Sequence, residues 1–139
     1  MTANDRNRFA FSYTKHDVRE KNFLYKNFNK SSSYQSNFSK SKFVSSSFIG
    51  TKFKFCSFYD ALFENCMIRG ALFKKCNLQT AIFKNCIVSA TVFDGVKLNE
   101  TKFMNCKIID SGNLFSNIEE TNLENTKRYN SYPCITDFS

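Results

Sequence analysis

The chain has 139 residues, with twenty Lys and Arg against twelve Asp and Glu, a formal net charge of +8, seventeen Phe, no Trp, four Gly and one Pro. That length is one domain's worth and buries a substantial core if it folds cooperatively, while the composition is unlike that of an ordinary mixed domain. No run of 18 apolar residues is present to span a bilayer, and the polar start from Met1 to Phe11 does not lead into a hydrophobic stretch, so a cytoplasmic chain without membrane insertion is expected.

Residues 1–12 read as an N-terminal arm or cap, because Arg8 falls out of the register that Tyr13 and Val18 keep. From Phe23 to Leu123 one residue in five is large and apolar, broken only at Ser33 and Asn113. The central run is Phe53, Phe58, Phe63, Ile68, Phe73, Leu78, Phe83, Val88, Phe93, Leu98, Phe103 and Ile108. Two residues before each of these stands a small or β-branched one, in the middle of the chain Cys56, Ala61, Cys66, Ala71, Cys76, Ala81, Cys86, Thr91, Val96, Thr101 and Cys106. The pattern fails at Arg128, and residues 126–139 read as a C-terminal cap or tail in which Tyr129, Tyr132, Pro133, Ile135 and Phe138 fold over the last coil.

A period of five fits neither the helix nor the simple strand, so a repeat architecture is expected. Side chains two apart on an extended backbone share a face. If five residues make one side and the chain then turns, a narrow solenoid forms whose interior takes one large and one small side chain per side. Close packing explains why the second is small.

Units such as Ala71-Leu72-Phe73-Lys74-Lys75 and Cys76-Asn77-Leu78-Gln79-Thr80 resemble the pentapeptide-repeat family, whose consensus is A-[DN]-L-x-x. The resemblance covers roughly residues 18 to 125. It implies an all-β fold, a right-handed quadrilateral β-helix with four five-residue sides per coil, here about five coils over residues 13–125. With coils at the ~4.8 Å spacing of neighbouring strands, the rod is about 25 Å long. Residues twenty apart then stack: Phe53, Phe73 and Phe93 on one side, Phe63, Phe83 and Phe103 opposite, with Phe58, Leu78 and Leu98 and then Ile68, Val88 and Ile108 on the other two.

Five of the six cysteines occupy the small inward position and read as compact packing residues. Stacking brings Cys56 beside Cys76, and Cys66 beside Cys86 and Cys106, but parallel side chains suit a disulfide poorly. No C-x-x-C or paired His points to zinc, no Gly-rich phosphate loop is present, and the lone His16 has no nucleophile at a recognisable spacing. No catalytic, metal or cofactor site is expected, and Cys134, outside the repeat, is the candidate reactive thiol.

The outward positions carry the functional expectations. The residue before each large one is Asn in several units but Leu62, Met67, Leu72, Ile82, Ile87 and Val92 in the central coils. These six form a candidate interface for a partner protein or a homodimer. The charge is uneven: residues 1–57 carry eleven basic against three acidic residues, residues 58–139 nine of each, and no acid occurs between Lys21 and Tyr59. Lys52, Lys54, Lys74 and Lys75 form a candidate basic patch for an anionic surface or nucleic acid. Some members of the family mimic duplex DNA and protect type II topoisomerases from quinolones; that role needs an acidic rod, and this chain is basic. A non-enzymatic structural or protein-interaction module is the leading expectation, with the topoisomerase role and anion binding as alternatives.

Overall fold

The computed structural model describes residues 11–111 and 121–129. Every fifth residue from Lys15 to Asp110, and again Asn125, adopts a left-handed backbone with φ between 48° and 66°. Each such residue turns the chain through a corner, so that successive pentapeptides form successive sides of a square. Only Gly50, Gly70 and Gly95 adopt this conformation without steric cost. Elsewhere the corners are Lys, Glu, Tyr, Phe, Asn and others, held there by the ladder on either side.

Four faces result. Face 1 contains the strands Ser32–Tyr34, Lys52–Lys54, Leu72–Lys74 and Val92–Asp94, all parallel. Face 3, opposite, contains Asn22–Leu24, Lys42–Val44, Leu62–Glu64, Ile82–Lys84, Thr101–Met104 and Thr121–Glu124. Face 4 contains Ser47–Ile49, Met67–Arg69, Ile87–Ser89, Lys107–Ile109 and Lys127–Tyr129. Face 2 is different: its coils meet through single bridges, such as Asn37 to Ser57 and Ser57 to Asn77, followed by turns. Registers are offset by twenty, as in Phe63 against Phe83 and Phe53 against Phe73.

All twelve central large residues, and the eleven small ones that precede them, are buried. Face 3 carries a continuous ring stack, Phe23–Phe43–Phe63–Phe83–Phe103, with centroids 5.0, 4.8, 4.5 and 4.7 Å apart. Between faces the rings meet edge to face, as Phe53 and Phe58 do at 4.8 Å and 86°. Both geometries suit the aromatic quadrupole. On faces 2 and 4 the later coils switch to Leu78, Leu98, Ile68, Val88 and Ile108, which fill the remaining width.

The small inward residues have a second task beyond leaving room. Thr51 Oγ1 donates to the Phe28 carbonyl at 2.6 Å and Thr101 Oγ1 to Leu78 at 2.6 Å. The thiols of Cys66, Cys76, Cys86 and Cys106 likewise donate to the carbonyls of Phe43, Phe53, Phe63 and Phe83, at 3.1 to 3.3 Å. Each donor lies 23 residues after its acceptor, so one coil ties down the coil before it. Among the described residues no buried side-chain nitrogen or oxygen lacks a partner.

Phe11 packs on the first coil, its ring 4.9 Å from Phe28. At the other end the ladder continues past residue 125, where a cap or tail was expected: Lys127–Tyr129 pairs with Lys107–Ile109, and Lys127 N–H donates to the Cys106 carbonyl at 3.1 Å. Backbone pairing needs no apolar side chain, so it persists for a strand whose three residues are all exposed. Asn113, Ser116, Ile118 and the proposed capping residues Tyr132, Pro133, Ile135 and Phe138 lie outside the described residues.

Candidate interaction surfaces

The six outward apolar residues stack in pairs: Leu62 on Ile82, Met67 on Ile87 and Leu72 on Val92. Together they form a belt around two adjacent coils on faces 3, 4 and 1. The belt is interrupted on face 2, where Asn77 and Lys97 occupy the equivalent positions. Met67, Ile87 and Val92 are 37%, 36% and 42% exposed, whereas Leu62, Leu72 and Ile82 are half-buried. Face 4 therefore offers the larger apolar surface, since Ile49 in the preceding coil is also exposed. Lysines border the belt: Lys42 and Lys102 on face 3, Lys52 on face 1 and Lys107 on face 4.

Lys52 and Lys54 flank Phe53 on one strand of face 1, and Lys54 stacks on Lys74 with Tyr34 one coil before. Asp94 stacks on Lys74 and ends the row. Lys75 is turned around the corner, away from the other three. Its side chain lies across Gly95, where a Cβ would meet Lys75 Cδ at 2.9 Å and Nζ at 3.1 Å. The four lysines are thus three on a flat face and one at its edge.

Sequence reasoning did not foresee what that edge encloses. Along the corner between faces 1 and 2 run two open cavities, about 630 and 420 Å³. Phe55 and Ser57 line both, so the two adjoin at that ring. Lys15 and Arg19 lie at one end, Lys75 and Lys97 at the other. The signal was present in the corner column Lys15, Gln35, Phe55, Lys75 and Gly95, spaced by twenty. It is masked because corner residues look like ordinary polar spacers when read singly.

The cysteines of the repeat are free. Contact with the neighbouring thiols, together with burial, pushes Cys76 and Cys86 well above the usual thiol range. They stay protonated and keep their donor role. Cys134 lies outside the described residues. His16 is exposed, with Nδ1 2.7 Å from the Thr14 carbonyl oxygen. No group of three or more His, Cys, Asp or Glu is arranged to hold a metal ion among the described residues, and no helix there is long and apolar enough to cross a membrane. Among the described residues the acids are dispersed: Glu20, Asp60 and Glu100 share the corner between faces 2 and 3 with Lys40 and Thr80 between them, Asp110 stands on the corner between faces 4 and 1, Glu64 and Glu124 on face 3, Asp94 on face 1, and Asp17 pairs with Arg19. Glu119 and Glu120 lie outside the described residues.

A square parallel β-solenoid with five-residue sides and buried one-large, one-small layers defines a class of repeat protein. The family model "Pentapeptide repeat region" matches residues 36–114 and 56–131, and the chain belongs to the pentapeptide-repeat family. Among solved structures it is similar to Rfr23 from the cyanobacterium Cyanothece 51142, at 12% identity and a TM-score of 0.59, covering 90% of this chain and 92% of that one. It is also similar to HetL from the cyanobacterium Nostoc sp. strain PCC 7120, a protein involved in heterocyst differentiation regulation, at 12% identity and a TM-score of 0.51. That match covers 69% of this chain and 43% of HetL. The full-length plasmid-mediated fluoroquinolone resistance protein QnrB1 matches at 12% identity with a TM-score of 0.30, over 88% of this chain and 95% of that one. A search by sequence of curated proteins finds no match.

Proposed function

We propose that the chain is a non-enzymatic protein-interaction rod that docks a partner protein across the apolar belt, chiefly on face 4. The observation that carries this reading is the stacked, exposed pair Met67 and Ile87, with Ile49 exposed in the preceding coil. These positions accept Asn elsewhere in the same chain, at Asn27 on the same face and at Asn37 and Asn77 on face 2. The fold therefore does not require apolar residues there, and a contact surface explains them. The lysine border supplies the polar rim that protein interfaces carry. The free buried thiols support a reducing compartment and hence a cytoplasmic setting.

The test is a double variant, Met67→Asn with Ile87→Asn, compared with the wild type as bait in nuclease-treated lysate. A defined protein retained by the wild type and lost by the variant, with melting temperature unchanged, supports the reading. Equal retention by both overturns it.

A further inference from the structure

On the opposite edge of the rod, we propose that the groove along the corner between faces 1 and 2 binds a single strand of nucleic acid, with a base stacked on Phe55 and phosphates on Lys75 and Lys97.

Phe55 is the residue that asks for an explanation. It shares its corner backbone, φ of 56°, with the other corners, but it is 49% exposed and lines both cavities. Gly95 holds the same corner two coils later with no side chain at all. The ring is not loose: Tyr34 meets it at 5.7 Å and 81°, and Tyr34 is itself 41% exposed. A fixed, half-exposed ring inside a groove is a stacking platform.

The groove's charge fits the same ligand. Lys75 and Lys97 line it beyond Phe55, and Lys75 is seated over Gly95. Asp17, on the groove wall, is committed to Arg19 through two side-chain hydrogen bonds of 2.8 Å. Asp94 faces Lys74 on face 1, not the groove. The column from Lys15 to Gly95 spans four coil steps, about 19 Å at strand spacing, enough for a few extended nucleotides. An acidic peptide would use the lysines but has no use for the ring, whereas a single strand presents a flat base beside each phosphate.

The experiment is fluorescence anisotropy with labelled 15-mer oligothymidylate and oligouridylate, at 50 and 200 mM salt, with a labelled polyglutamate peptide of equal charge alongside. Phe55→Gly removes the ring and relieves the corner, so a loss of binding is not a loss of fold. It is expected to weaken oligonucleotide binding about tenfold with an unchanged salt slope. Lys75→Gln with Lys97→Gln is expected to lower the slope of log affinity against log salt by about 1.4. Wild-type affinity in Phe55→Gly, tighter or equal binding of polyglutamate, or no binding of either oligonucleotide at 50 mM salt would each overturn the proposal. Because Met67 and Ile87 lie on another face, the belt variant should bind oligonucleotide as the wild type does. The two readings therefore stand or fall separately.

Discussion

Tyr13 reaches past Ser33 to meet Phe38 across the missing ring, their centroids 5.6 Å apart at 78°. Elsewhere in the stack, rings on adjacent faces of neighbouring coils are fifteen residues apart, as Phe38 and Phe53 or Phe58 and Phe73 are. Tyr13 and Phe38 are twenty-five apart. Ser33 is the buried small residue that breaks the register, and its Oγ accepts the Tyr13 N–H at 3.0 Å. A ring from the coil below thus occupies volume that Ser33 leaves, and Phe11 closes the end beneath it against Phe23 and Phe28. Tyr13→Ala should cost about 2 kcal/mol in a urea titration, whereas Tyr13→Phe should be near neutral, since it is the ring that fills the gap.

Phe73 sits between Phe53 and Phe93 at 5.3 and 5.2 Å and is fully buried. Phe73→Ala should cost about 3–5 kcal/mol, because a square interior enclosed by backbone on four sides has little freedom to collapse onto the hole. The loss should appear as a lower denaturation midpoint by circular dichroism.

Gly70 has φ of 60° and nothing within 4 Å of where a Cβ would stand. Gly70→Ala isolates the backbone cost of a corner from any steric clash, and should destabilise by about 1 kcal/mol. The converse change, Ala90→Gly at the next corner of the same column, should raise the melting temperature.

Cys76 and Cys86 ionise only above the ordinary thiol range in the folded rod, so the folded state holds their protons where the unfolded chain releases them. Their contribution to stability is complete below about pH 8.5, the unfolded thiol value, and declines as pH rises above it. The same contacts hold Cys56, Cys66 and Cys106 below the usual thiol range, which favours the folded state as pH rises. Thermal melts between pH 7 and pH 10 should therefore show a steeper loss for the wild type than for Cys76→Ser with Cys86→Ser, whose hydroxyls still donate to those neighbours but do not titrate. Serine already occupies the equivalent buried position at Ser36, Ser41 and Ser46.

The register was legible because burial imposes it: an inward position tolerates no charge, so Phe, Leu, Ile and Val recur there without need of comparison. The pairings Leu62–Ile82, Met67–Ile87 and Leu72–Val92 followed from the same arithmetic. The left-handed corners were not legible, because Lys15, Tyr25 or Phe55 carry no preference for that backbone; the ladder overrides theirs. Nor was the donor role of Cys66 or Thr51, which as spacers are interchangeable with alanine. The groove at Phe55 depends on which outward side chains become neighbours around a corner, and outward positions obey no packing rule. The half-buried state of Leu62, Leu72 and Ile82 was hidden for the same reason.

Each side of the rod is built from five residues, and its strand or bridge pairs only with the coils above and below it. An insertion of five residues in phase, for instance after Asp60, would keep every downstream large residue facing inward. It would nevertheless turn everything beyond it by a quarter revolution about the axis. Because the groove takes Phe55 from before that point and Lys75 and Lys97 from beyond it, the same insertion would divide it, so a surface assembled from several coils exists only at one count of pentapeptides, while the interior accepts any.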